Sequence, residues 1–238
     1  MTEDRHIVSS YDGQLKDLNA KVHRMGALAL EAVAESMIAM RDRDEDKAQH
    51  IIENDSVIDA LHQDIQEAAV EVLALRQPVA NDLRTVVSAL RVTSELERIG
   101  DYASNIAKRT MALGRSQTEV PSVRVVVRMG QLAHEILSEV LKAYDKRDAA
   151  WSEALWHRDV EVDDLHTSLF RELLTYMMED PRYITPCTHL IFAAKNIERI
   201  GDHASNVAEI TYYMATAEPI PGERPKADQS SSVAEPGE

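Results

Sequence analysis

Nine of eleven residues are identical between Glu97-Arg98-Ile99-Gly100-Asp101-Tyr102-Ala103-Ser104-Asn105-Ile106-Ala107 and Glu198-Arg199-Ile200-Gly201-Asp202-His203-Ala204-Ser205-Asn206-Val207-Ala208, an offset of 101. Two amphipathic helices can share apolar positions by chance, but not the Glu, Gly, Asp and Asn as well. Earlier in the chain the offset is 104. There Arg24-Met25-Gly26 matches Arg128-Met129-Gly130, and Glu31 and Glu35 match Glu135 and Glu139. Arg43-Asp44 likewise matches Arg147-Asp148, and Asp55, Asp59, Leu61 and His62 match Asp159, Asp163, Leu165 and His166. The chain is therefore expected to be two copies of one unit, residues 1–117 and 118–217, joined around Gly114–Pro121. A tail over 218–238 follows.

Within each copy, apolar residues recur at intervals of three and four, the mark of helix. The pattern predicts six helices, over about 8–42, 46–75, 79–113, 121–146, 149–178 and 185–215. Strand candidates are nearly absent, so the fold class is all-α, with three helices in each unit. Pro78, Gly114, Pro121, Pro181 and Pro186 supply starts and stops. Thr185-Pro186 reads as an N-cap followed by Pro at the first helical position. Alanines such as Ala27, Ala29, Ala32, Ala34 and Ala39, mixed with Leu, Ile and Met, suit close packing of several helices. From Glu218 onward the Pro, Ser and charged residues offer no apolar period, and the tail is expected to be disordered.

Charge narrows the partners. Lys and Arg number 26 against 41 Asp and Glu, a formal net charge of −15, with no basic stripe to follow a nucleic-acid backbone. One cysteine, Cys187, excludes an internal disulfide framework and a Cys-rich metal knuckle. The polar start Met1-Thr2-Glu3-Asp4-Arg5-His6 is unlike a signal peptide, and no apolar run approaches the length of a membrane span. A soluble, cytoplasmic protein is expected.

The acids are not scattered. At the helical rotation per residue, Glu97, Asp101 and Asn105 fall within about 80° of arc, beside the packing face of Leu96, Ile99, Ala103 and Ala107. Glu198, Asp202 and Asn206 repeat that stripe, and Glu209 extends it where the first copy has Lys108. Asp55, Asp59 and His62 lie within about 60° on the second helix, repeated as Asp159, Asp163 and His166. Glu31/Glu35 and Glu135/Glu139 add carboxylates at i,i+4 on the first helix of each unit. Such a patch of hard oxygen donors suits Mg²⁺, Mn²⁺, Ca²⁺ or iron. It also suits a plain solvated face. Gly100 and Gly201, poor helix residues by about 1 kcal/mol, mark either a close helix crossing or a bound group.

Other chemistry is absent from the sequence. No glycine-rich dinucleotide or phosphate loop occurs, nor His-Glu-x-x-His. Cys187 and His189, two apart on a helix, make a poor dyad, and Trp151 and Trp156 are expected to pack the fifth helix.

The doubled Glu97…Asp101 and Glu198…Asp202 motif, with Met25-Gly26 and Asp55-x-x-Ile58-Asp59-x-Leu61, resembles the E/D-x-x-x-D signature of the PhoU family of phosphate-transport accessory proteins. The resemblance spans roughly residues 8–215. It implies two three-helix bundles side by side, often in a homodimer. It further implies a non-enzymatic cytoplasmic regulator that represses phosphate-starvation signalling. Its partners would be the ATPase subunit of the phosphate ABC transporter and the phosphate sensor histidine kinase, with membrane association only through them. Some family members hold iron or other metal clusters. Carried over, the resemblance assigns divalent or ferric ions (iron, manganese, magnesium or zinc) to Glu97, Asp101, Glu198 and Asp202. Asp55, Asp59, Asp159 and Asp163 would support them, with Asn105 and Asn206 following each motif. Two other readings compete: a metal-dependent helical-bundle enzyme, such as a di-iron oxidase or a phosphohydrolase, and a purely structural helical scaffold.

Overall fold

A sharp Arg-Asp corner, used twice, ends the first helix of each repeat and starts the second. Arg43 and Arg147 take left-handed backbone angles, φ 54° and 51°, and the amides of Asp44 and Asp148 reach back to Ala39 O and Ala143 O, each at 3.0 Å. This is the Schellman closure. The Asp44 and Asp148 carboxylates then accept from the Lys47 and Trp151 amides, each at 2.9 Å, as N-caps. One dipeptide thus satisfies both helix ends, and its recurrence gives both repeats the same turn.

The computed structural model describes residues 2–116 and 118–222, with side chains from Tyr11 onward apart from Asp12. Among these residues all regular structure is helical: α1 (Thr2–Asp42), α2 (Glu45–Arg76), α3 (Ala80–Gly114), α4 (Val123–Lys146), α5 (Ala149–Trp156), α6 (Val160–Glu179) and α7 (Ile184–Thr216). The first half is α1–α3 and the second α4–α7, two similar three-helix bundles in which α5 and α6 together take the place of α2.

Helices α1, α3, α4 and α7 form the centre, with α2 on one flank against α1 and α3, and α5 and α6 on the other against α4 and α7. Helix α7 runs antiparallel to α3. Glu95 meets His203, while Arg109, further along α3, stacks on Phe192, earlier in α7. Helices α1 and α4 are antiparallel too, as the His23–Asp145 and Met37–Gly130 contacts show. One continuous core runs through both halves, including Met25, Val33, Leu96 and Ile99 from the first and Met129, Leu137, Ile197 and Ile200 from the second.

Three expectations change. The second helix of the second half is not continuous but breaks at residues 157–159. The break coincides with burial of Trp156 where the first half has half-buried Ile52, and with Asp159 turning inward against α7. Helix α7 starts at Ile184 rather than at a Thr185 cap; a 3-10 turn, Pro181–Tyr183, leads into it, capped by the Asp180 carboxylate on the Arg182 amide at 2.9 Å. The tail does not leave the fold at Glu218, because Ile220 is buried in the core. Residues 223–238 of the expected disordered tail lie outside the described residues.

The shift in offset falls on a single connection. Arg76 at the end of α2 corresponds to Asp180 and Ala80 at the start of α3 to Pro181, so Gln77, Pro78 and Val79 have no counterparts. Among the described residues no helix is long and apolar enough to cross a membrane.

Candidate functional site

Each half brings its carboxylates together at one crossing of its second and third helices. In the first half α3 crosses α2 at Gly100. A Cβ there would lie 2.9 Å from Ile58 Cδ1 and 3.5 Å from Asp55 Oδ1. In the second half α7 crosses the start of α6 at Gly201, where a Cβ would lie 2.4 Å from Asp159 Oδ1 and 3.7 Å from Val162 Cγ2. The glycines therefore let a carboxylate of the neighbouring helix close on the backbone of the motif helix.

The two crossings differ in exposure. Asp159, Asp163, His166 and Glu198 are buried, at 3–5 % of their accessible area. Their counterparts in the first half stand open, with Asp55, His62, Glu97 and Asp101 half-buried and Asp59 exposed. Asp202, Asn105 and Asn206 are half-buried. Carboxylates on freely exposed helix faces were expected in both halves; the second half departs from that because its broken helix lies closer on α7.

Electrostatics follow the geometry. Burial pushes the Asp55 carboxyl above its ordinary value, and the charges of Asp101 and Asp59 push the same way, opposed by the Ser104 hydroxyl and Lys108. Glu97 is also raised, first by burial and then by Asp101, against the relief of Arg98 and His62. In the second half Lys195 Nζ donates to Glu198 Oε1 at 2.9 Å. Ser94 stands at the matching place, so the first half has no such lysine.

The asparagines leave the stripes. Asn206 Nδ2 donates to Glu95 Oε2 at 2.9 Å, across the seam between halves, and Asn105 Oδ1 accepts from Lys108 at 3.4 Å. Glu95 Oε2 also meets His203 Nδ1 at 2.6 Å, and the His203 ring lies 5.4 Å from that of Tyr102, which carries Arg199 at 5.7 Å on the same ring. The sequence reading missed this seam cluster of Glu95, Tyr102, Arg199 and His203. A signal was present: Tyr102 and His203 are the non-conservative difference between the two motifs, and they fall where the halves face each other.

One acid of each first-helix pair is held by a cation from the neighbouring second-helix segment. Glu35 pairs with Lys47, and Glu139 with Arg158 Nη1 at 3.2 Å. Cys187 is buried, with its thiol pushed up by desolvation.

The expectation of a bound metal is corrected here. Among the described residues no group of three or more His, Cys, Asp and Glu side chains is disposed to hold an ion, so iron, manganese, magnesium or zinc finds no ready-made ligand set. The protein's own groups meet these acids instead: Arg98 Nε stands 3.6 Å from Glu97, Lys195 serves Glu198, and Asn206 has turned to Glu95. The metal-dependent enzyme reading loses its support with the metal.

Two homologous three-helix halves with a glycine-centred carboxylate crossing in each define a duplicated helical-bundle protein. The family model described as the PhoU domain matches this chain twice, over residues 22–110 and 126–211. A "Phosphate-specific transport system accessory protein PhoU homolog" of Rhizobium meliloti is 47% identical over 228 residues, 96% of each chain. Its namesake in Caulobacter vibrioides is 46% identical over 228 residues, 96% of this chain and 98% of that one. The crystal structure of PhoU from Pseudomonas aeruginosa superposes with a TM-score of 0.85 at 35% identity, covering 87% of this chain and 100% of that one. That of the phosphate transport system regulatory protein PhoU from Streptococcus pneumoniae gives 0.81 at 28% identity, over 88% and 99% of the two chains. The chain belongs to the PhoU family, whose members are regulatory rather than catalytic proteins.

Proposed function

We propose that the protein is a regulator of phosphate uptake that restrains the phosphate-starvation response when phosphate is plentiful. It does so as an adaptor between the phosphate ABC transporter's ATPase subunit and the phosphate sensor histidine kinase. The observation that carries this reading is the 47% identity, over nearly the whole of both chains, to a phosphate-specific transport system accessory protein. The two family matches fall inside residues 1–117 and 118–217, which we take as the repeating units. On this reading the protein acts in the cytoplasm as a homodimer and reaches the membrane through its partners. The accessible acids of the first crossing, exposed Asp59 and half-buried Glu97 and Asp101, supply the charged part of the docking surface, and the buried set Asp159, Asp163 and Glu198 holds the second half in shape.

Deletion of the gene in its own bacterium, with a phosphate-starvation reporter, tests the reading. The reporter is expected to fire at high phosphate in the deletion strain and to fall silent when the chain is restored. A reporter that stays silent in the deletion strain would refute it. Asp101→Ala with Asp202→Ala should leave helicity intact, since Ala favours helix, while weakening repression.

A further inference from the structure

The repeats differ beside the first crossing. Between α1 and α2 the first half has an open groove of about 540 Å³ floored by Ala32, Ile51 and Ile58 and rimmed by Glu31, Glu35 and Asp55. Val57, on the same wall, leaves 43% of its surface to solvent. At the repeat offset of 104 the second half fills the corresponding space with its own side chains. Ile136 stands for Ala32, a residue of the groove floor, and is fully buried. Arg158 stands for Asn54 and closes the rim, with Nη1 3.2 Å from Glu139 Oε2 and Nε 3.0 Å from Glu161 Oε1. The second half is thus a filled copy of a groove that the first half keeps open.

We propose that this groove is the docking site for a helical segment of a protein partner, one that presents a row of aliphatic or aromatic side chains flanked by arginine or lysine. Two observations commit the occupant. The rim carries three carboxylates against one cation, Lys47, which already pairs with Glu35, in a chain with a net charge of −15. The filled copy also shows which chemistry satisfies such a rim: apolar bulk below and an arginine bridging two glutamates above. An amphipathic helix laid in a groove supplies both from one face. The proposal rests on the adaptor reading for the existence of a partner and goes beyond it in assigning surface and chemistry.

The test uses the full chain and a designed 16-residue helical peptide with Leu, Ile and Trp on one face and flanking arginines. Its control is a scrambled peptide of equal composition. Fluorescence anisotropy should show the designed peptide binding at least about tenfold more tightly than the scrambled one. Ala32→Ile, which copies position 136, should keep or raise the melting temperature and weaken binding by about tenfold or more. Val57→Lys, at an exposed position, provides a second block that does not depend on core packing and should do the same. Equal affinity for both peptides, or unchanged binding by the folded variants, would overturn the proposal. In the deletion strain Ala32→Ile should fail to silence the reporter. If the unaltered chain and Ala32→Ile silence it equally, the groove is wrong and the adaptor reading stands; if deletion has no effect, the adaptor reading itself has failed.

Discussion

Gly201 on α7 and Asp159 at the entry to α6 are so close that a methyl group on residue 201 would lie 2.4 Å from the Asp159 carboxylate. At the related Gly100 the nearest atom is the end of the Ile58 side chain, 2.9 Å away, with Asp55 at 3.5 Å. A terminal Ile methyl can turn aside, whereas buried Asp159 on its short stem cannot retreat without disturbing the α5–α6 corner. Alanine gains about 1 kcal/mol of helix propensity over glycine at either place. Gly100→Ala should therefore stay within about 1 kcal/mol of the wild type, and Gly201→Ala should lose about 1–3 kcal/mol through overpacking. Urea unfolding of both variants measures the difference; equal effects would contradict the asymmetry of the crossings.

The repeat made most of the fold legible. Arg43-Asp44 and Arg147-Asp148, which match at the repeat offset, are the paired corners that set helix one against helix two. Identical letters did not reveal unequal surroundings. Asp159 and Asp55 match in sequence, yet one is buried and the other half-open, because the second half breaks its helix at residues 157–159 and brings Asp159 onto Gly201. Neither could periodicity reveal where Asn206 would point. Its hydrogen-bond partner, Glu95, lies 111 residues away, beyond any local pattern.

Ile220 gives a direct check on where the fold ends. The αL residue Ala217, φ 64°, stops α7, and the Glu218 amide donates to Thr216 Oγ1 at 3.1 Å, turning the chain back so that Ile220 reaches the core. Ile220→Ala should lower stability by about 1–3 kcal/mol. A melting temperature indistinguishable from wild type would show that this residue contributes nothing to the core.

Glu95 joins the halves, and its contribution depends on pH. Burial alone would raise its carboxyl, but the His203 ring, the Asn206 amide and Arg91 together hold it below its ordinary value. A carboxylate depressed by folding contributes stability above its unfolded pKa and loses it as pH falls through the folded one. Glu95→Gln should therefore cost about 1–2 kcal/mol at neutral pH, and the deficit should close as pH falls through the acidic carboxylate range. Denaturation of both proteins over that range decides it; a deficit that persists at the acid end would mean that the seam depends on shape rather than charge.

Asp55 should behave in the opposite sense. Burial and the charges of Asp101 and Asp59 hold its carboxyl above the ordinary value, so the folded protein takes up this proton more readily than the unfolded chain. Its contribution favours folding below the unfolded pKa and is lost as pH rises through the folded one. At neutral pH the charged group opposes folding, and Asp55→Asn should raise the melting temperature by on the order of 1–3 °C. That advantage should shrink on acidification, where the wild-type side chain is itself protonated. A charge kept at a cost to stability is the pattern expected of a working surface, so the same variant should weaken binding of the arginine-flanked peptide while stabilising the fold. Thermal melts from neutral to acidic pH, paired with the anisotropy titration, test both halves of the expectation. A variant no more stable than wild type at neutral pH would show that the first crossing carries no electrostatic strain.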